Sequence, residues 1–115
     1  MESNLTIVVH AGFKVETSEI EAFEQLVAEL TARAAGEPGT LTFRFFRGEP
    51  GAYAAVEEYA DPDFMRAHQE ANRDLLMRID ECVADVRLEL HGSVGPSMRE
   101  WAQRVSRVVL YEDQL

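Results

Sequence analysis

Cysteine and lysine each occur only once in the chain of 115 residues, as Cys82 and Lys14. A lone cysteine cannot form an intramolecular disulfide, and such scarcity is typical of proteins in a reducing compartment. Apolar runs are short as well, since none approaches the roughly 20 residues that a membrane-spanning helix needs. The chain does not open with a charged and then apolar leader of the kind that directs export. We therefore expect a cytoplasmic protein that does not insert into a membrane.

Positive charge is the second scarcity. Eleven Lys and Arg residues stand against 21 Asp and Glu residues, which gives a net charge of −10. Binding to nucleic acid or to an anionic membrane surface requires clustered cations, so the composition argues against both partners. Gly-rich phosphate loops, dinucleotide fingerprints and nucleophile elbows are missing from the sequence too.

The hydrophobic content of 46% and the length fit one globular domain, and apolar periodicity predicts its elements. Strands are expected at residues 5–12, 41–48, 52–60, 85–92 and 107–111. Helices are expected at about 17–36, from 61 to about 82, and at 97–105. The order β-α-β-β-α-β with an αβ extension is that of a ferredoxin-like α+β fold. The predicted domain spans 1–115, with a core at about 5–92 and a C-terminal extension at about 93–115.

Polar residues mark the predicted starts of the two main helices. Ser18 and Glu21 have the spacing of a capping box. Asp61 followed by Pro62 is typical of a helix N-terminus, with aspartate as the cap and proline in the first turn. We expect the helix that starts at Pro62 to continue without interruption to about Cys82.

In this fold both main helices cover one face of the sheet, and the other face is expected to be partly apolar. Strand alternation assigns to that open face the side chains of Val8, Phe46, Tyr53 and Tyr59. An apolar sheet face of this kind is usually buried by a second copy of the chain. The sequence therefore predicts a homodimer formed sheet to sheet.

Two segments, EPGTLTFRFF and EEYADPDFMRAH, carry the features of a known family. The features are a Glu-Pro-Gly turn before the second strand, a Glu-x-Tyr at the end of the third strand, and a histidine in the next helix. Glu57, Tyr59 and His68 stand at the positions of the Glu-x-Tyr and the histidine. From Leu5 to His91 the chain thus resembles the antibiotic biosynthesis monooxygenase (ABM) domain.

The resemblance implies a dimeric α/β barrel with a ligand pocket between the sheet and the second helix. Members of the family include oxygenases that act on quinols or polyketide phenols without metal or flavin. Other members degrade haem, handle a small phosphorylated signalling sugar or have no known activity. Haem-degrading relatives usually carry a tryptophan on the pocket-side strand, where this chain has Tyr59, and this difference weakens a haem interpretation.

His68 is the first candidate for chemistry. It shares an inward helical stripe with Phe64 and Asn72, so all three are expected to face the pocket. An imidazole there could accept a proton near neutral pH. It could equally be a buried structural residue, hydrogen-bonded to a strand carbonyl or to Glu57.

Glu57 and Tyr59 share one strand face because side chains alternate along a strand. A buried carboxylate needs a partner, so Glu57 could be consumed by a salt bridge to Arg44 or Arg87 across the sheet. Tyr59 could orient the substrate or take part in proton transfer, or it could be a packed aromatic residue with a satisfied hydroxyl.

Further candidates follow from the strand alternation. The side chains expected to line the barrel interior together with Glu57 and Tyr59 are those of His10, Arg44, Phe46, Arg87 and His91. Such a mixture suits an aromatic ligand with ionisable oxygens, or else a polar dimer interface. The three histidines lie on separate elements without an H-x-H or H-x₃-H pair, so no metal site is predicted.

The sequence favours a cofactor-independent monooxygenase that acts on a small aromatic, quinol or polyketide-like substrate. In this hypothesis His68 is the base, Arg44 and Arg87 hold the anionic oxygen, and Tyr59 orients the substrate. Two alternatives stay open. One is a non-oxygenase enzyme on the same fold, such as an isomerase of a small sugar phosphate, and the other is a non-catalytic ligand-binding or dimerisation module.

Overall fold

The computed structural model describes residues 5–105 and 107–115, so the first four residues of the predicted domain lie outside the described residues. The strands are β1 (Ile7–Val15), β2 (Thr40–Arg47), β3 (Ala52–Tyr59), β4 (Val83–His91) and β5 (Val108–Tyr111). The helices are α1 (Ile20–Ala34), α2 (Pro62–Ala71), α3 (Arg73–Cys82) and α4 (Pro96–Arg104), with a 3-10 turn at Thr17–Glu19. The α+β class predicted from the sequence is confirmed. Each helix in the described ranges is too short or too polar to cross a membrane.

The five strands form one sheet in the order β2-β3-β1-β4-β5. β1 is central and pairs antiparallel with β3 and β4, while β2 pairs antiparallel with β3. β5 pairs with β4 in parallel, so the C-terminal extension adds an edge strand to the sheet. The order of the first four strands is the one that the ferredoxin-like motif requires.

The hydrophobic core lies between the helices and one face of the sheet, in two clusters. The cluster under α1 and α3 comprises Val15, Phe23, Leu26, Leu30, Tyr53, Leu75 and Ile79. The cluster under α2 and near the start of α4 comprises Ile7, Val9, Tyr59, Met65, Leu90 and Val94. The helices therefore cover the face that carries the odd-numbered residues of β1 and β3, and the other face stays open.

The assignment of Tyr53 and Tyr59 to the open face is wrong. Tyr59 is 1% exposed and Tyr53 is 7% exposed, and both belong to the core under the helices. Alternation fixes which residues share a face but does not say which face meets the helices. Here the register decides, because Tyr59 pairs with the buried Ile7. Of the four side chains predicted on the open face, Val8 and Phe46 do lie there.

The predicted single helix after Asp61 is instead divided into α2 and α3 at Asn72. Asp61 does cap the first part, since its side chain accepts a hydrogen bond from the backbone N–H of Phe64. At Asn72 the backbone leaves helical geometry, with φ −113° and ψ 19°. The Asn72 side chain donates to the carbonyl oxygen of His68 at 2.9 Å, which is the kind of local bond by which asparagine competes with helix geometry.

The start of α1 also differs from the prediction. The helix begins at Ile20, after the 3-10 turn, and Glu19 rather than Ser18 stands at the N-cap position. A capping box between Ser18 and Glu21 requires Ser18 at that position. Because the 3-10 turn occupies Thr17–Glu19, the helix starts one residue later than a cap at Ser18 would place it. The predicted capping box is therefore wrong.

Gly39 is the position where the turn before β2 tolerates only glycine. Its φ is +79°, and an added Cβ would lie 2.1 Å from Cγ of Phe64 in α2. We expect Gly39→Ala to lower the free energy of unfolding by more than the roughly 1–3 kcal/mol of backbone strain alone. Chemical denaturation of the variant against the wild type measures this loss.

Gly36, three residues earlier, provides the matched control. An added Cβ there would meet only the carbonyl oxygen of Arg33, at an ordinary 3.7 Å. We expect Gly36→Ala to change stability by less than about 1 kcal/mol, and in the stabilising direction. Equal losses in Gly36→Ala and Gly39→Ala would contradict the contact with Phe64.

Candidate active site

A cavity of about 560 Å³ lies between the helix-facing side of the sheet and the α2–α3 pair. Its sheet wall is formed by Ala11, Phe13, Phe45, Ala55, Glu57, Val86 and Leu88. Its helix wall and rim include Arg66, Gln69, Glu70, Arg73, Leu76, Met77, Ile79 and Asp80. The local sequence explains the hollow, because Ala11 of β1 pairs directly with Ala55 of β3. Two methyl groups at the centre of the sheet leave room that larger side chains would fill.

Glu57 is the only carboxyl group that the described strands contribute to this apolar wall. Desolvation by the surrounding protein raises its pKa, and this effect outweighs a hydrogen bond from Tyr59 and the nearby His68, which both act to lower it. The hydroxyl of Tyr59 donates to Oε1 of Glu57. Burial, together with the neighbouring Glu57, raises the pKa of Tyr59, so the phenol stays protonated and remains a donor. The pair presents one carboxyl group of increased basicity to the cavity.

Within the described residues, Glu57 forms neither of the two salt bridges that the sequence allowed. Arg44 pairs in register with Val56, and Arg87 pairs with Gly12, so both arginines project from the open face of the sheet. The Arg44 guanidinium lies over the ring of Phe46, 4.9 Å from its centroid. A full sheet thickness separates these cations from Glu57, which faces the helices.

His68 is held by a residue that the sequence did not single out. Its Nδ1 lies 2.6 Å from Oε1 of Glu37, and Nδ2 of Asn72 donates to Oε2 of the same carboxylate at 2.5 Å. Thr40 donates to Glu37 as well, at 3.0 Å. Burial alone would raise the pKa of Glu37, but the hydrogen bonds from His68 and Asn72 lower it overall. The partners predicted for His68, a strand carbonyl or Glu57, are therefore wrong.

The rings around His68 enclose it on the sheet side. Phe43 lies 4.9 Å away and Tyr59 lies 5.5 Å away, centroid to centroid. His68 is 4% exposed and is not among the residues that line the cavity. The imidazole thus stands behind the Glu57–Tyr59 pair and does not face the space that a ligand would fill.

The predicted site residues therefore divide between two faces of the sheet. The helix-facing layer contains Glu57, Tyr59, Phe64, His68 and Asn72. The open face contains His10, Arg44, Phe46, Arg87 and His91. The sequence placed both groups in one barrel interior, and within a single chain this prediction is wrong. Arg44 pairs with Val56, and the side chains of Val56 and Glu57 lie on opposite faces of β3 because adjacent strand residues alternate.

Three parts of the site were missed by the sequence interpretation. Glu37 belongs to the Glu-Pro-Gly turn, which was explained as a turn alone. Arg66 and Arg73 are seven residues apart, the spacing that places two residues on one side of a helix. That spacing was a usable signal for two cations at the rim of the cavity.

We expect Glu37→Gln to destabilise the protein by roughly 2 kcal/mol near neutral pH, because bonds to a charged group are lost. A carboxyl group whose pKa is lower in the folded state stabilises the fold above the unfolded pKa of about 4.5 and stops doing so as pH falls through the folded pKa. The difference between variant and wild type should therefore shrink below about pH 4. Urea denaturation across a pH series measures it.

Glu49 offers a matched control, because it opens the second Glu-Pro-Gly turn and its side chain is exposed. Glu49→Gln removes the same charge from the same motif, and we expect little change in stability. If Glu37→Gln were equally silent at pH 7, the bonds of Glu37 to His68 and Asn72 would not stabilise the fold.

Comparison with known proteins agrees with this fold. The family profile described as "Antibiotic biosynthesis monooxygenase" matches residues 6–73, more than half of the chain. No match was found among curated proteins. MupZ from Pseudomonas fluorescens is 22% identical with a TM-score of 0.76, over 97% of this chain and 93% of that one. Because the match to MupZ covers 97% of this chain, it includes the C-terminal extension.

Two further solved structures cover the core. SnoaB, a cofactor-independent oxygenase from Streptomyces nogalater, is 19% identical with a TM-score of 0.66, over 75% of this chain and 90% of its own. A structure of an antibiotic biosynthesis monooxygenase is 24% identical with a TM-score of 0.67, over 73% of this chain and 94% of its own. These likenesses support the fold, and the profile match adds the family. The chain belongs to the antibiotic biosynthesis monooxygenase family.

Proposed function

We propose that the protein is a cofactor-independent monooxygenase that oxidises a small phenol or quinol-like molecule with O₂, with Glu57 as the base. The observation that carries the proposal is the Glu57 carboxyl group, with its raised pKa, on the wall of an apolar cavity. Carboxyl groups with raised pKa in a cleft are typical of general acid–base sites. The family and its oxygenase relative SnoaB supply the reaction class.

The dimensions and chemistry of the cavity favour a flat, mostly apolar ligand. A volume of about 560 Å³ lies within the range of small-molecule pockets. Phe13 and Phe45 provide aromatic surfaces for ring packing. Arg66 and Arg73 at the rim are suited to hold an anionic oxygen at the outer end of the ligand.

The reaction we propose begins when Glu57 takes the hydroxyl proton of the phenol. The phenolate carries electron density to a ring carbon, which transfers two electrons in total to O₂ and forms a C–O bond as a peroxide. The proton on Glu57 returns to the peroxide, and loss of water with the ring C–H proton leaves a carbonyl group. One oxygen atom enters the product and the other leaves as water, so no external reductant is needed.

The roles differ from those that the sequence suggested. Tyr59 is proposed to position the Glu57 carboxyl group through its hydroxyl. His68, held by Glu37, is proposed to be a positioning residue behind that pair rather than the base. The anion-holding role passes from Arg44 and Arg87, on the open face, to the arginines at the cavity rim.

We expect Glu57→Gln to lower the rate of substrate oxidation by roughly 10²–10⁴-fold, the usual contribution of a general base. O₂ consumption with a panel of quinols and polycyclic phenols measures the rate. Glu58→Gln is the matched control, because Glu58 is the next residue on β3 and projects from the opposite face. The activity of the Glu58→Gln variant should stay close to that of the wild type. A Glu57→Gln variant as active as Glu58→Gln would remove Glu57 from the role of base.

The raised pKa of Glu57 also predicts the sign of a stability change. A carboxyl group whose pKa is higher in the folded state stabilises the fold while it is protonated, and the fold loses this stabilisation as pH rises from about 4.5 through the folded pKa. The loss is about 1.4 kcal/mol for each tenfold change in proton affinity. We expect Glu57→Gln to be more stable than the wild type at pH 8, and the two to converge near pH 4.

Thermal unfolding of both proteins across this pH range is the measurement. It also shows that a loss of activity in Glu57→Gln is not a loss of folding. A variant that is less stable than the wild type at pH 8 would mean that the carboxylate is stabilised by its surroundings and is not desolvated as the cavity wall suggests.

We also propose that the protein is a homodimer formed through the open face of the sheet. That face carries Phe46, Val109 and Tyr111, which are 43%, 47% and 51% exposed in the single chain. Phe46 lies on the edge strand β2, and Val109 and Tyr111 lie on the opposite edge strand β5. Large apolar side chains exposed on both edges of one sheet face favour burial against a second copy. Each subunit would keep its own Glu57 cavity, on the other side of the sheet.

We expect light scattering to give the mass of two chains of 13.0 kDa at micromolar concentration. Phe46→Glu should shift the equilibrium towards the monomer, because it places a charge in the interface. Ala22→Glu on the exposed side of α1 adds the same charge in the helix layer and should leave the mass unchanged. A wild-type monomer at this concentration would overturn the dimer.

A further inference from the structure

Three potential metal ligands meet on the open face of the sheet, opposite the Glu57 cavity. His10 of β1 pairs directly with Glu89 of β4, and His91 follows two residues later on the same face of β4. One ligand atom from each of the three side chains lies within 4.8 Å of the other two. In the single chain His10 and Glu89 are exposed and His91 is half-buried, so a cation can reach the cluster before two copies meet through this face.

The ring of His91 is held by a backbone carbonyl. Its Nδ1 lies 3.3 Å from the carbonyl oxygen of Val8, and since a carbonyl can only accept, this nitrogen must carry the proton. The lone pair is then on Nε2. Metal-binding histidines usually donate their other ring N–H to a backbone carbonyl or carboxylate in this way, which fixes the tautomer and the ring.

The neighbouring rings restrict the cluster further. Tyr111 of β5 stacks on His91 with centroids 5.1 Å apart and an interplanar angle of 8°. The rings of His10 and His91 have centroids 5.0 Å apart and are tilted by 57°, so the two rings are not stacked face to face. The C-terminal extension therefore holds one ligand of the cluster in place through Tyr111.

We propose that His10, Glu89 and His91 bind a divalent transition-metal cation of the Zn²⁺ type. Two imidazoles and one carboxylate are a ligand set that proteins use for Zn²⁺, with a fourth position left for water or another group. Ligand atoms of a tetrahedral zinc ion lie roughly 3.4 Å apart, given bonds of about 2.0–2.1 Å. The present spacing of up to 4.8 Å is wider than this, so binding requires the exposed side chains of His10 and Glu89 to rotate towards His91. Imidazole ligands favour such an ion over Mg²⁺ or Ca²⁺.

The site is separate from the proposed oxygenase reaction. It lies on the far side of the sheet from Glu57, and the mechanism above does not use it. A bound ion would link the central strand β1 to β4 and would offset part of the net charge of −10. Because the open face is also the proposed dimer surface, water or a group of the second copy would occupy the fourth position.

The test is Zn²⁺ binding by the full chain, measured by competition with a chromophoric chelator, with Co²⁺ absorption as a report on coordination by nitrogen. We expect one Zn²⁺ per chain, unaffected by millimolar Mg²⁺. His10→Gln, Glu89→Gln and His91→Gln should each weaken binding by more than the roughly 10- to 100-fold that loss of an outer-shell partner costs. Glu21→Gln, an exposed carboxylate of α1, is the control with the same charge change as Glu89→Gln and should bind as the wild type does.

Each outcome decides the proposal. Binding at one equivalent that is lost in the three cluster variants and kept in Glu21→Gln supports the site. Absence of binding, or equal binding in all variants, overturns it and leaves only general attraction of cations to an acidic surface. Thermal unfolding of each variant without metal shows whether the variant is folded. Zn²⁺ should raise the melting temperature of the wild type and of Glu21→Gln, but not that of the three cluster variants.

Discussion

The carboxylate of Glu37 joins three parts of the chain on which the cavity depends. It receives hydrogen bonds from the first residue of β2, Thr40, from His68 in α2, and from Asn72 at the junction between α2 and α3. The same junction is where the helix departs from regular geometry. The two short helices that meet at this junction form one wall of the cavity, opposite the paired alanines of β1 and β3. Without this carboxylate, His68 and Asn72 would each lose a buried hydrogen bond, and the Asn72 amide would keep its bond to the carbonyl oxygen of His68.

The two faces of the sheet provide two different chemical environments, separated only by the sheet itself. On the helix-facing side, Glu57 is the one carboxyl group that the described strands place among the apolar and aromatic side chains of the cavity, and desolvation raises its pKa. The open side carries histidines, arginines and exposed aromatic residues. Adjacent residues of one strand, such as Glu57 and Glu58, therefore belong to different surfaces and can be changed independently. That separation leaves room in so short a chain for both the proposed acid–base site and the proposed cation site.

The C-terminal extension is part of this arrangement. β5 adds a parallel edge strand to β4, and Tyr111 stacks on His91 from that strand. Val94 and Met98, at the entrance to and within α4, pack against the core under α2. The extension thus contributes to both faces of the sheet, which agrees with the coverage of nearly the whole chain by MupZ and with the smaller coverage by the shorter relatives.

The sequence by itself determined the class of fold, the family and most of the elements, because these depend on local periodicity and on short motifs such as Asp61-Pro62 and Glu-x-Tyr. It also placed Glu57, Tyr59 and His68 in one region. Only the tertiary structure decided which sheet face the helices cover, since alternation is symmetric between the two faces until strands are paired. The partners of His68 and Glu57 were beyond reach for the same reason, because Glu37 is 31 residues from His68. The cluster of His10, Glu89 and His91 likewise exists only through the pairing of β1 with β4, which no spacing along the chain reveals.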